Sequence, residues 1–170
     1  CVNGGKLLKP QILKEVRNSY TNDAVYKRKV KVIRQVIRKE TSSKVKDALE
    51  SVVCLGGGRN AYIPGYRIGG KTGTAQKAVN GTYVGGGYIL SFVGIAPIND
   101  PQIVLYVAMD NPKNCIQYGG TTVAPIARKM LVDILPAMHI KKVKKQPERE
   151  EQPMDVKTVK IERYIGKKRS

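Results

Sequence analysis

Gly65-Tyr66-Arg67-Ile68-Gly69-Gly70-Lys71-Thr72-Gly73-Thr74-Ala75-Gln76 admits two readings, and the choice between them decides the fold. The first takes Gly65-x4-Gly70-Lys71-Thr72 as a phosphate-binding loop. Asp110, at the end of a hydrophobic run, even mimics the magnesium-holding partner of such a loop. A phosphate loop leaves a buried strand and opens a helix, whose N-terminal N–H groups hold the anion. Here Asn60-Ala61-Tyr62-Ile63-Pro64 precedes the stretch, a poor central strand because it carries proline. Gly73-Thr74, Asn80-Gly81 and Gly85-Gly86-Gly87 follow it, and those residues do not make a helix. The second reading, a glycine-rich extended strand, fits both flanks.

The residues downstream support the strand. Residues 88–97 form a largely apolar run, Ile98-Asn99-Asp100-Pro101 a short turn, and residues 102–110 a second apolar run. A connection this short forces the two strands antiparallel, since a parallel crossover needs a dozen residues or more. Val123, Ile126, Ala127, Met130, Leu131, Ile134 and Leu135 then recur at helical spacing. Thr122 is placed to cap that helix, Pro125 falls in its tolerant first turn, and Pro136 should stop it.

Upstream, Val45, Ala48, Leu49, Val52 and Val53 mark a second amphipathic helix. Thr41, Ser42 and Ser43 offer N-caps, and Gly56-Gly57-Gly58 ends it, glycine being free to turn left-handed there. Residues 5–16 read as an extended segment covering a core edge. Residues 25–40 alternate at Val30-Lys31-Val32 and then lose the alternation, leaving strand and helix undecided. The fold class expected is α+β, with about three antiparallel strands and packed helices. Residues 1–140 form one domain, residues 141–155 a Lys/Glu/Gln/Pro-rich mobile linker, and residues 156–170 regain alternation at Val159, Ile161 and Ile165. No segment approaches the length of a membrane-spanning helix. The chain begins without Met, and it is expected to be a piece of something longer.

Charge narrows the partners. The net charge is +18, with +8 on residues 1–50, +4 on residues 51–140 and +6 on residues 141–170. Such a balance can attract nucleic acid, anionic lipid or an anionic polymer. No basic stripe is interleaved with aromatics, so no nucleic-acid partner is expected. Cys1, Cys54 and Cys115 are odd in number and lack CxxC spacing, which argues against a zinc site or a disulfide framework. Cys54, among Val52, Val53 and Leu55, reads as a small core residue. The single histidine, His139, has no triad partners. Neither a metal nor a cofactor is expected. Asn80-Gly81-Thr82 matches the glycosylation pattern by chance.

On the strand reading, Lys71-Thr72-Gly73-Thr74 carries acyl-transfer chemistry. Such a site needs a cation and hydroxyls to hold an anionic substrate end, and N–H groups aimed at a developing oxyanion. An edge strand supplies N–H groups in a row and can bind an extended peptide by strand addition. Gly73 lets a backbone approach closely. Alternation puts Thr72 and Thr74 on one side and Lys71 on the other. Ser43-Lys44-Val45-Lys46 fits the Ser-x-x-Lys pattern, but Ser43 starts a helix on a basic, solvated stretch, and a cap is its expected role.

The stretches GYRIGGKTGTAQ, SFVGIAPIND, IVLYVAMDNP and YGGTTVAPIARKMLVDIL, with the opening NGGKLLKPQILKEV, closely resemble the C-terminal part of class B penicillin-binding proteins over residues 1–140. Val159-x-Ile161-x-x-Tyr164-Ile165-Gly166 looks like the first strand of a truncated PASTA domain, a pairing seen in sporulation and cell-division transpeptidases. The resemblance implies a partial penicillin-binding transpeptidase fold and a serine-type D,D-transpeptidase that cross-links peptidoglycan by acyl transfer, in cell wall or spore cortex synthesis. It implies peptidoglycan stem peptide and β-lactam antibiotics as partners, together with the upstream remainder of the domain. The location implied is the extracytoplasmic face of a bacterial membrane, on an anchor this segment lacks. Lys71 and Thr74 become catalytic candidates: Lys71 sets the electrostatics, and the Thr74 N–H forms half an oxyanion hole. Thr72, Gly73, Thr74 and Gln76 border the substrate groove, with the two threonines on the substrate carboxylate. The family's Ser-x-x-Lys nucleophile and Ser-x-Asn motif have no counterpart here, so the fragment alone is expected to be inactive. Two other functions fit parts of the pattern: a non-catalytic module binding cell-wall peptide on the strand edge, and a P-loop-like nucleotide or nucleic-acid binder.

Overall fold

The computed structural model describes residues 1–83 and 87–148. The chain divides into two compact units, residues 1–48 and 49–170.

In the first unit, β1 (Lys6–Leu8) pairs antiparallel with β4 (Val32–Gln35), and β2 (Glu15–Arg17) pairs antiparallel with β3 (Ala24–Lys27). The second hairpin is nested inside the first: Lys9 N–H donates to Lys31 O and Arg28 N–H to Lys14 O. Its tip is an Asx turn, in which Asn18 Oδ1 accepts the N–H groups of Tyr20 and Thr21. The undecided residues 25–40 thus split into two strands and the start of a helix. Residues 5–16 do not cover a core edge, because β1 is exposed throughout and only Glu15 of β2 is half-buried.

Helix α1 (Lys39–Cys54) begins two residues before the expected caps. The Ser42 N–H already bonds to Arg38 O, so Ser42 and Ser43 are inside the helix. Ser42 is buried, and its hydroxyl donates to Cys1 O and accepts from Gly4 N–H. Val53 of the expected stripe and Cys54 are buried as expected, but Ala48 is exposed and Glu50 is buried in its stead. Leu55 and Gly56 N–H bond to Ser51 O and Gly58 N–H to Val52 O, which ends α1 without any of the three glycines going left-handed.

A single 3-10 turn, Arg59–Ala61, leads to the sheet of the second unit. There β5 (Gly69–Gln76), β6 (Tyr88–Ala96) and β7 (Ile103–Asp110) are antiparallel in that order, as expected. β5 lies at the edge. The phosphate-loop reading falls here, because Lys71 and Thr72 sit in mid-strand and the strand runs on through Gln76 where a helix would have to begin.

One face of the sheet carries the core. Leu90 and Phe92 are fully buried, and Ile103, Leu105, Val107 and Met109 pack against the same cluster. Helix α2 (Gly119–Thr122) lies on β5 and β6, and α3 (Ala124–Ala137) on β6 and β7. Val123, Ala124, Ala127, Leu131 and Leu135 are buried, whereas Ile126 and Met130 of the expected stripe stay exposed. Thr122 does not cap α3; its hydroxyl donates to Ile116 O. The helix ends one residue past Pro136, at Ala137, and the Pro136 carbonyl accepts from His139 N–H. The opposite sheet face is largely open, with Val104 and Tyr106 both 62% exposed.

Residues 141–148 fold back on the second unit. Val143 N–H donates to Gly65 O, and the Gln146 amide donates to Ile63 O and Tyr66 O. The rest of the expected linker and the expected PASTA strand lie outside the described residues.

Candidate functional site

The ladder between β5 and β6 fixes which way each group of Lys71–Thr74 points. Thr72 faces Phe92 and Thr74 faces Leu90, so both threonines lie on the core side of the sheet. Lys71 and Gly73 face Val93 and Ser91 on the other side. The expected alternation is therefore present, and the register assigns its two sides.

The main-chain groups follow from the same register. In an antiparallel ladder, pairs that exchange N–H···O bonds alternate with pairs that do not. Lys77 N–H donates to Gly87 O at 2.9 Å, the next step beyond Gln76↔Tyr88. Counting back by twos, Ala75, Gly73 and Lys71 turn their main-chain groups toward β6. Gln76, Thr74 and Thr72 turn theirs outward, to the open edge. Two contacts agree. The Lys71 ammonium reaches the Thr72 carbonyl at 2.7 Å, which requires that oxygen to face the edge. A Cβ built on Gly119 would lie 2.5 Å from Gly73 O and 2.7 Å from Ser91 O, which sets those two oxygens together on the seam between the strands.

The threonine side chains are backed by a layer of glycines. Thr74 Oγ1 accepts the Gly119 N–H at 3.2 Å. Gly57 lies beside Thr72, and a Cβ there would come within 2.5 Å of the Tyr118 hydroxyl. Gly120 packs so closely on the Gly57 carbonyl that no side chain fits between them. Asn60 Nδ2 donates to Gly120 O at 2.9 Å. A Cβ on Gly73 would lie 2.4 Å from the Ser91 hydroxyl, a contact that rotation of the Ser91 side chain relieves. Gln76 is exposed, on the same side as Thr74.

All four groove candidates, with Lys71, thus lie on one strand. Asn60, Tyr118, Gly119 and Gly120 were not singled out by the sequence reading. The pair Gly119-Gly120 just before an amphipathic helix was the signal available. Away from the site, burial and then the Glu50 carboxylate push the Cys54 thiol up to about 11, with Arg67 opposing.

The penicillin binding protein transpeptidase domain family matches residues 1–132. The chain belongs to that family. It is 48% identical over 166 residues to stage V sporulation protein D of Bacillus subtilis (strain 168), covering 98% of this chain and 26% of that protein. It therefore spans about a quarter of that relative's length. The transpeptidase domain of Burkholderia pseudomallei penicillin-binding protein 3 superposes with a TM-score of 0.66 at 34% identity, over 83% of this chain and 40% of that one. Penicillin binding protein 3 of Mycobacterium tuberculosis, solved with ampicillin, superposes with a TM-score of 0.69 at 26% identity, over 89% of this chain and 34% of that one. With this membership the nucleotide-binding alternative and the stand-alone binding module lose their support.

Proposed function

We propose that this chain supplies one wall of a serine-type D,D-transpeptidase site that cross-links peptidoglycan, on the extracytoplasmic face of a bacterial membrane. The observation that carries the reading is the open edge of β5. It offers the Thr72 and Thr74 N–H groups outward, next to the Lys71 ammonium and the Thr74 hydroxyl. Such an edge takes an extended stem peptide as an added strand. The Thr74 N–H serves as one donor to the oxyanion that forms when a serine attacks the peptide carbonyl. That serine and its base come from the remainder of the domain. Lys71 sets a positive potential in the groove, and the Thr72 and Thr74 hydroxyls hold the terminal carboxylate. Gly73 and Gln76 line the same groove. A β-lactam enters the same way and acylates the serine as a dead-end substrate, in keeping with the ampicillin complex of the mycobacterial relative. The 48% identity to stage V sporulation protein D favours a role in spore cortex synthesis over one in division.

The test is cross-linking of stem peptides by the full-length protein, with and without penicillin. Penicillin-sensitive cross-links support the proposal. A full-length protein that neither cross-links nor takes up penicillin overturns it.

A further inference from the structure

We infer that Asn60 is a positioning residue for the Thr74 hydroxyl and acts through the turn at Tyr118–Thr122. The inference rests on the reading of Thr74 as the contact for a ligand carboxylate. A threonine hydroxyl has one proton and two lone pairs. Gly119 N–H occupies a lone pair of Thr74 Oγ1. The hydroxyl proton is then left to donate, and a donor at that place suits an anion. Where Gly119 sits therefore decides both the direction and the polarity of the Thr74 hydroxyl.

Gly119 is held from two sides. On the sheet side it rests on Gly73 O and Ser91 O, with no room for a side chain. On the other side the turn presses on the loop after α1 through the close contact of Gly120 with Gly57 O. Backbone packed directly on backbone has no side chain to absorb a shift. A side-chain hydrogen bond crosses that junction: Asn60 Nδ2 donates to Gly120 O. A carbonyl only accepts, so the amide nitrogen must face it, and aspartate cannot replace the donor. Asn60 sits on the 3-10 turn, outside β5, and its amide reaches the Tyr118–Thr122 turn through Gly120 O. Losing its bond frees Gly120, lets Gly119 draw away from Thr74, and releases the hydroxyl to rotate.

The test uses the full-length protein and two ligands, a penicillin and its methyl ester, which lacks the anionic carboxylate. Acylation rates are measured for the unmodified protein, Asn60→Asp, Thr74→Val and the double variant, with thermal melting alongside. Thr74→Val should slow acylation by the penicillin about tenfold or more, the loss of one hydrogen bond to a charged group, and should leave the ester nearly unchanged. Asn60→Asp should cost several-fold for the penicillin and little for the ester. In the double variant it should add nothing beyond Thr74→Val, because the two act through one hydroxyl. If Asn60→Asp slows both ligands equally, or adds its full cost on top of Thr74→Val, the inference fails. If Asn60→Asp melts like the unmodified protein and acylates normally, it also fails. If Thr74→Val itself has no effect on the penicillin, the reading of Thr74 fails first.

Discussion

Glu50 and Arg67 form a pair whose removal tests how the glycine-rich strand is held in place. Arg67 Nε donates to Glu50 Oε1 at 2.7 Å, and Arg67 Nη2 to Glu50 Oε2 at 2.5 Å. This is a two-pronged match of guanidinium to carboxylate, linking the last turns of α1 to the residue two positions before β5. The Glu50 side chain is 7% exposed and that of Arg67 32% exposed. Breaking a buried pair from one side costs about 3–5 kcal/mol. The exposed third of Arg67 can be rehydrated, which lowers the expected cost of Glu50→Ala to about 2–3 kcal/mol. At about 3 °C per kcal/mol for a chain of this size, melting should fall by roughly 6–9 °C. The assay is thermal and urea unfolding of the purified 170-residue chain. Replacing both partners, Glu50→Leu with Arg67→Met, should recover most of the loss, since no charge is then left buried. A single variant within about 0.5 kcal/mol of the original would refute the reasoning, the level of an ordinary surface substitution.

Cys54 should resist alkylation at neutral pH while the exposed Cys1 reacts, and Glu50→Gln should lower the pH at which Cys54 starts to react. Because the folded Cys54 thiol titrates near 11 and the reference thiol at 9.0, its contribution is intact below pH 9 and lost between 9 and 11. Cys54→Ala should therefore be less sensitive than the parent over that interval in pH-dependent unfolding. Gly70→Ala would set a Cβ 2.5 Å from Phe92 Cζ and 2.8 Å from Val93 O, and urea unfolding should show a loss of about 1–3 kcal/mol. Phe92→Ala, at a fully buried ring, should cost about 3–5 kcal/mol in the same assay.

Much of the second unit was legible because its elements are long and periodic. The runs at 88–97 and 102–110 became β6 and β7 within a residue or two, and the short turn between them dictated their direction. The first unit was not, because its strands are three or four residues long and largely exposed, so no inward-facing set marks them. On α1, Val53 and Cys54 were legible, but the burial of Glu50 was not, for a non-local reason: its partner Arg67 lies 17 residues away. The same holds for the site. The alternation within Lys71–Thr74 is a property of the strand and could be read directly. Which threonine groups reach the open edge depends on pairing with β6, and the Gly119 contact to Thr74 spans 45 residues.

The central claim is that the Lys71–Thr74 edge works as a wall of an acyl-transfer site. Mass spectrometry of penicillin adducts tests it most directly, on the full-length protein, its Lys71→Ala variant and the 170-residue chain alone. The account predicts a single adduct on the full-length protein, formed at least about tenfold more slowly in Lys71→Ala, which removes the positive potential of the groove. It predicts none on the isolated chain. Equal acylation of the Lys71→Ala variant, or a stoichiometric adduct on the isolated chain, would contradict it.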